Sequence, residues 1–374
     1  MAVHIREVGS RRDLKQFIFL PEKIHADHPN WTPPIWIDEW QYFDPRRNTS
    51  FQHSDTIRLL ALREGEPVGR IMGIIHHRYN EHRGERTARF GFFETREDRE
   101  VFSRLIERVE AWARKRGMER IVGPYGFSDQ DPEGWMIEGF DHPATIATYY
   151  NLPWVNDFIA AAGYEKEVEY VVYRIAVPPE TPAFYRRIHD RVLARGGYEL
   201  VSFTRKKEMR PWIEPILSLM NETYTGSDIY GYSPLTLEEM RDLARKYLPI
   251  LDPRFVKAVT CAGEPVAFII AMPDLTAGIR AARGRLLPFG LIRILRARRT
   301  STQLDLLLGA IKNGHRGKGL DVLMAVDMLD TARRAGLTVM DTHHELEHNT
   351  AVRAEMERVG GEIYKRFRIY RKDL

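Results

Sequence analysis

From Leu304 to Ile311 the chain is almost continuously apolar, and from Leu320 to Arg334 apolar residues return at helical spacing, at Leu320, Leu323, Met324, Met328 and Ala332. Arg316, Gly317, Lys318 and Gly319 interrupt both patterns, so the segment predicts a strand, a basic glycine turn and a helix. A turn of this kind gathers unpaired backbone N–H groups at the positive end of the helix dipole and forms an anion site, with phosphate the usual guest. Gly317 and Gly319 allow positive φ and close backbone approach, and Arg316 and Lys318 add charge. Two common nucleotide loops are excluded. No Gly-Lys-Ser/Thr occurs, and Gly314, Gly317 and Gly319 lack G-x-G-x-x-G spacing.

The same alternation of strands and helices occurs twice. Gly65-Glu66-Pro67-Val68, between two strand-like apolar runs, returns as Gly263-Glu264-Pro265-Val266, 198 residues later. Gly163 and Tyr173 return as Gly360 and Tyr370 at an offset of 197. The helix end at Ala113 to Gly117 matches Ala332 to Gly336 at a different offset, 219, which locates an insertion in each half. In the first half the extra residues are Gly123 to Phe140, rich in turn formers and aromatics. In the second they are Thr276 to Thr302, with seven arginines and no acid. Each half otherwise predicts helix, hairpin, strand, helix, strand, helix, strand: an α/β (α+β) unit with a mixed sheet. Prolines at 178, 179 and 182 put the boundary near residue 180, giving units 1–180 and 181–374.

Composition narrows the setting. At 374 residues with 43% hydrophobic and 29% charged content, the chain is that of a soluble globular protein of two domains. A single cysteine, Cys261, excludes an intramolecular disulfide framework and fits a reducing compartment; it is expected in the core. Neither a signal peptide nor a run of about 18 apolar residues is present, so a cytoplasmic location is expected. A net charge of +4 is too small to imply nucleic-acid binding without a concentrated basic patch.

A hairpin, a strand, Arg-Gly-x-Gly opening a helix, then strand, Asn-led helix, a Gly-Gly pair and a closing Tyr-containing strand resemble the GNAT acyltransferase family. The match runs from about Pro211 to Leu374, and the whole chain is similar to long bacterial GNAT-like proteins in wording such as Phe90-Gly91-Phe92-Phe93-Glu94 and Glu345-Leu346-Glu347-His348-Asn349. The resemblance implies two tandem GNAT-like units, each a mostly antiparallel sheet flanked by helices. It also implies an N-acyltransferase that takes acetyl-CoA or a longer acyl-CoA as co-substrate, without a metal. Arg316, Gly317, Lys318, Gly319 and Leu320 fit the family's pyrophosphate loop. Asn349 fits a residue that contacts the CoA arm, or else simply caps the last helix. Two positions depart from the pattern: Asp321 stands where the family has Gly or Ala, and Met356 where it often has a tyrosine that protonates the leaving thiolate. The first half has no such loop. Four acids and no glycine fill Glu94 to Glu100, so it is a degenerate copy that shapes an acceptor site or braces the second half.

N-acyl transfer needs a group that takes a proton from an ammonium. In a strand Asp341, His343, Glu345 and Glu347 would share one face; Glu347 is the first candidate for the base and Glu345 the second. The same stretch, His344 to His348, matches H-E-x-x-H, the signature of zinc peptidases. It follows a β-prone segment rather than lying on a helix, and no third ligand is evident. The arginine-rich insertion suggests peripheral contact of residues 280–299 with an anionic membrane, a cover over an apolar substrate channel, or packing against acids of the first half. The expected acceptor is a small-molecule or lipid amine. A non-catalytic acyl-CoA or lipid-binding protein on the same fold is the alternative. The aromatics Trp31, Trp36, Trp40, Tyr125, Trp135, Tyr230 and Tyr232 are expected in the core or between the halves.

Overall fold

The computed structural model describes residues 2–146, 148–225 and 229–374. The first half contributes strands β1 (His4–Glu7), β2 (Ser54–Arg63), β3 (Glu66–His76), β4 (Thr87–Thr95), β5 (Arg120–Gly123), β6 (Trp135–Glu138) and β7 (Glu165–Ala176). The second contributes β8 (Glu199–Ser202), β9 (Val256–Cys261), β10 (Glu264–Pro273), β11 (Gln303–Ile311), β12 (Val339–Asp341), β13 (Glu345–Leu346) and β14 (Glu362–Asp373). The repeated Gly-Glu-Pro-Val motifs open matching strands. Glu64 with Gly65, and Ala262 with Gly263, supply two successive positive-φ residues, the type I′ geometry that suits the twist of a hairpin.

All these strands belong to one sheet, in the order β1-β2-β3-β4-β5-β14-β7-β12-β11-β10-β9-β8, with β6 on β14 and β13 on β7. The halves have exchanged their closing strands. β14, the last strand of the second half, pairs with β5 of the first, and β7, the last strand of the first half, pairs with β12 of the second. β7 and β14 also pair with each other along most of their length, from Glu165–Arg371 to Arg174–Glu362. The expected boundary near residue 180 falls between β7 and helix Ala183–Arg195, and the sheet itself runs through both halves without a break.

Helices cover both faces. In the first half helix Arg99–Lys115 buries Phe102, Leu105, Ile106 and Val109 against one face, and helix Arg11–Ile24 buries Phe17, Ile18 and Leu20 on the other. Asp98, one of the acids that replace the glycine loop, caps the first of these by accepting from Val101 N at 3.1 Å, and it also pairs with Arg63 at 2.7 Å. In the second half helix Leu320–Arg334 covers one face and helix Ile213–Thr225 the other. Cys261 is half-buried rather than in the core.

Contacts outside the sheet also join the halves. Arg78 Nη2 donates to both oxygens of Glu239 at 2.9 and 3.0 Å, and the Tyr125 hydroxyl donates to Gly231 O at 2.6 Å. Gly231 has φ 74°, and a Cβ there would lie 1.8 Å from the Tyr125 hydroxyl oxygen. Gly231→Ala is therefore expected to destabilise the protein by about 2–3 kcal/mol through overpacking. Tyr125→Phe, which removes only the hydrogen bond, is expected to lose about 1 kcal/mol. Denaturant unfolding of the two variants checks the order.

Candidate active site

β11 and β12 pair in parallel at only three positions, Gln303–Val339 to Asp305–Asp341, and then part. His343 adopts φ 54°, which turns the chain out of line, and β13 pairs with β7 instead. On the other side of β11 the ladder with β10 slips between Ile270 and Ala271, leaving Leu307 without an opposite residue. A cavity of about 550 Å³ opens in the gap. Leu306 to Gly309 form one wall and Thr342 to Leu346 the other; helix Ile213–Thr225 contributes Ile213, Ile216 and Leu217. β4 and β5 part in the same way after three positions, but there the chain itself enters the gap. The first insertion runs along β4 there, with Tyr125 N donating to Phe90 O at 2.8 Å, and a Cβ on Gly91 would meet Tyr125 O at 2.6 Å.

The basic glycine turn lies past the end of β11. Gly314, Gly317 and Gly319 all have positive φ, and Gly319 is the left-handed residue from which helix Leu320–Arg334 starts. Arg316, Gly317 and Lys318 are exposed, Leu320 is buried, and Arg316 Nε donates to Ile311 O at 3.2 Å, folding the turn back onto the strand end. This arrangement fits a diphosphate: N–H groups of the first helical turn without intrahelical partners, two cations, and no side chain over Gly317. Asp321 fits least well. Its carboxylate neighbours Glu355, whose carboxyl is pushed up by burial and then by Asp321.

The two candidate bases are placed differently. Glu347 does not line the cavity; its carboxylate pairs with Lys166, and that contact holds it below the usual glutamate range. Glu345 does line the cavity, and burial raises its carboxyl to about 8. A strict alternation from Asp341 to Glu347 fails because the left-handed backbone at His343 changes which way the later side chains face. Asp341 turns instead to the Tyr364 hydroxyl and His343 N.

His343 and His344 both line the cavity, each with an Nε2 that lacks a hydrogen-bond partner. Burial holds both imidazoles below their ordinary range, His344 down to about 3, and His344 stacks on Tyr170 at 5.0 Å. His348 is exposed beyond β13, so the two histidines of the H-E-x-x-H match share no helix. Among the described residues no group of three His, Cys, Asp or Glu side chains is placed to hold a metal. Asn349 both lines the cavity and caps helix Thr350–Arg358, accepting from Val352 N at 3.4 Å. Met356, in the position of the absent tyrosine, also lines it. Sequence reasoning missed Tyr224, whose hydroxyl donates to Gly309 O at 3.2 Å, where the gap opens. Its only sequence signal was its place at the end of an apolar helix.

No protein-family model matches the chain. It is similar to the bacterial ceramide synthase of Caulobacter vibrioides, 28% identical over 377 residues that cover 98% of this chain and 96% of that protein. It is also similar to protein YghO of Escherichia coli, 27% identical over 381 residues, covering 99% and 95%. Among solved structures, a tandem GNAT protein from the clavulanic acid biosynthesis pathway superposes with a TM-score of 0.56 at 14% identity, covering 100% of this chain and 98% of its own. A GCN5-related N-acetyltransferase from Sphaerobacter thermophilus gives 0.53 at 13%, covering 99% and 95%. With its repeated units, exchanged closing strands and an open gap between β11 and β12, the chain has the tandem GNAT fold over its whole length.

Proposed function

We propose that this protein is an acyl-CoA-dependent N-acyltransferase that joins a fatty acyl group to the amine of a long-chain amino alcohol, forming a ceramide-type amide. The observation that carries the reading is the cavity. At about 550 Å³ it is far larger than an acetyl group needs, mostly apolar, and open at the splayed strands with Glu345 in its wall. The similarity to a ceramide synthase over nearly the full length of both chains supports the same substrate class.

Each part of the site has a separate task. Residues 316–320 hold the diphosphate of acyl-CoA, and the arm runs along β11 toward Leu306 to Gly309. Glu345, matched to near-neutral pH by burial, takes a proton from the acceptor ammonium. The freed nitrogen lone pair attacks the thioester carbonyl carbon, the C–N bond forms and the C–S bond breaks. With methionine at 356, Tyr224 is the candidate donor to the departing thiolate, and the second nitrogen proton then restores its hydroxyl. Holding two long substrates in line supplies the rest of the acceleration. Calorimetry with acetyl-CoA and palmitoyl-CoA tests the reading: palmitoyl-CoA is expected to bind at least tenfold more tightly. Equal affinity for both would remove the long-chain assignment.

The lipid reading extends to the arginine-rich insertion. It forms helices Thr276–Ala282 and Gly290–Thr300, and Ile294 packs on Met272, Leu275 and Ile279 beside Leu307, a cavity residue. Arg285 pairs with Glu22 of the first half at 2.6 Å, and Trp36 Nε1 donates to Arg283 O at 2.8 Å, so part of the insertion braces the halves. The outer face differs. Leu287, Phe289 and Ile292 are 82%, 65% and 63% exposed, with Arg293, Arg296 and Arg299 exposed among them. That combination suits a peripheral contact with anionic lipid, from which both substrates would enter, although no helix among the described residues is long and apolar enough to cross a membrane. The protein is expected to sediment with phosphatidylglycerol vesicles and not with phosphatidylcholine vesicles, and Phe289→Asp with Ile292→Asp is expected to abolish sedimentation. Unchanged sedimentation of the double variant would exclude this face.

A further inference from the structure

The insertion at residues 123–140 enters the gap of the first half with Tyr125, and later residues of the same insertion reach the cavity of the second half. Asp129, Gln130, Asp131 and Glu133 all line it. Asp131 has a structural explanation: its Oδ2 accepts from Phe127 N and the Tyr42 hydroxyl, both at 2.7 Å, and from Ser128 N at 3.2 Å. Asp129 and Glu133 have none of comparable strength. Asp129 Oδ1 and Glu133 Oε2 are buried without a hydrogen-bond partner, and the Glu133 residue is only 5% exposed. The Tyr170 hydroxyl is the polar neighbour of Glu133, at the margin of hydrogen-bond geometry, and the His344 Nε2 beside Tyr170 is unpartnered.

With Glu345, four carboxylates line this cavity, and among the described residues no lysine or arginine does. The groups facing Asp129 and Glu133 are Arg89, Asp131 and the tyrosines 125, 170, 224, 230 and 232. Arg89 faces both acids but bonds to neither: its Nη1 donates to Gly126 O and Phe127 O, its Nη2 is buried without a partner, and its guanidinium lies between the rings of Tyr79 and Tyr125. Buried carboxylates without an ion-pair partner favour the protonated form, and burial outweighs the nearby Arg89 charge to raise both acids, Asp129 to about 7. Tyr224 feels both Asp129 and Glu345, so the acidic wall and the candidate base belong to one polar end of an otherwise apolar space.

The geometry points to a binding site, built by the first half, for the cationic head of a long-chain primary amine: Asp129 and Glu133 receive its ammonium while the alkyl chain lies along Ile213, Ile216 and Leu217. This deepens the acyltransferase reading by assigning the acceptor to residues contributed by the degenerate repeat. An ammonium entering between two protonated acids displaces a proton, and that gives a signature a merely structural role would not produce.

The test is calorimetric titration of the full-length protein with sphinganine near pH 6.5, below its critical micelle concentration, in two buffers of different ionisation enthalpy. The native protein is expected to release about one proton per amine bound, since the ligand arrives charged and its ion pair lowers the pKa of the acids. Glu133→Gln and Asp129→Asn are each expected to weaken amine binding at least tenfold and to reduce proton release, with palmitoyl-CoA affinity unchanged. Using both variants covers the case in which one fails to fold. Amine affinity within twofold of native in both folded variants, or native binding without proton release, would overturn the assignment. Failure of the acyltransferase reading would look different: sphinganine would bind with proton release, but no amide would form from palmitoyl-CoA.

Discussion

Glu345→Gln is expected to lower turnover by about 10²- to 10⁴-fold, the usual contribution of a general base, while leaving palmitoyl-CoA affinity within twofold of native. The glutamine keeps the shape of the cavity wall and removes only the proton acceptor. The pH profile separates this role from a structural one. With the Glu345 carboxyl raised to about 8, only about a tenth is ionised at pH 7, so kcat/KM of the native protein is expected to rise with pH and level off above 8. In the variant that limb disappears. Stability moves in the opposite sense. Between the ordinary glutamate range near 4.5 and about 8 the folded state retains a proton that the unfolded chain has released, so burial of Glu345 makes the protein less stable as pH rises through that window. Glu345→Gln should therefore melt above native protein at pH 8 and close to it near pH 4.5. A variant that turns over at the native rate would return the search for the base to His343 and His344.

Gly317→Glu is expected to weaken acyl-CoA binding roughly a hundredfold or more, the loss of one or two charge-assisted hydrogen bonds with carboxylate repulsion added. Gly317 is a cleaner position than Gly319. A Cβ on Gly319 would lie 2.9 Å from Val192 Cγ2, so substitution there disturbs helix Ala183–Arg195, whereas a Cβ on Gly317 meets nothing within 4 Å. Its φ of 71° still puts about 1–2 kcal/mol of backbone strain on any other residue. Gly317→Ala carries that strain without the charge and serves as the control, with an expected loss of tenfold or less. Native affinity in Gly317→Glu, measured by calorimetry, would remove residues 316–320 from the acyl-CoA site.

The repeat was legible because its signals are local. Two successive positive-φ residues at 64–65 and 262–263 demand particular turn chemistry, and the glycines between a strand and a helix mark the loop. The exchange of closing strands was not legible. β7 and β14 have the same length and each ends a repeat, so only pairing between residues up to 253 positions apart decides which sheet edge each completes. The choice between Glu345 and Glu347 turned on one residue. His343 leaves the extended region, and a strand pattern carried across it assigns the wrong glutamate to the cavity. The role of Asp129 and Glu133 was hidden by distance, since the wall opposite them is more than 200 residues away in the chain and the insertion itself shows only turn formers and aromatics.

Mass spectrometry of a reaction containing the full-length protein, palmitoyl-CoA and sphinganine is the most direct test of the proposed activity. Formation of N-palmitoyl sphinganine together with an equal amount of free CoA, both absent when either substrate is omitted and both suppressed in Glu345→Gln, is the result expected. Folded protein that binds both substrates yet forms no amide would contradict it, and would leave a tandem GNAT fold that holds acyl-CoA and a long-chain amine side by side without joining them.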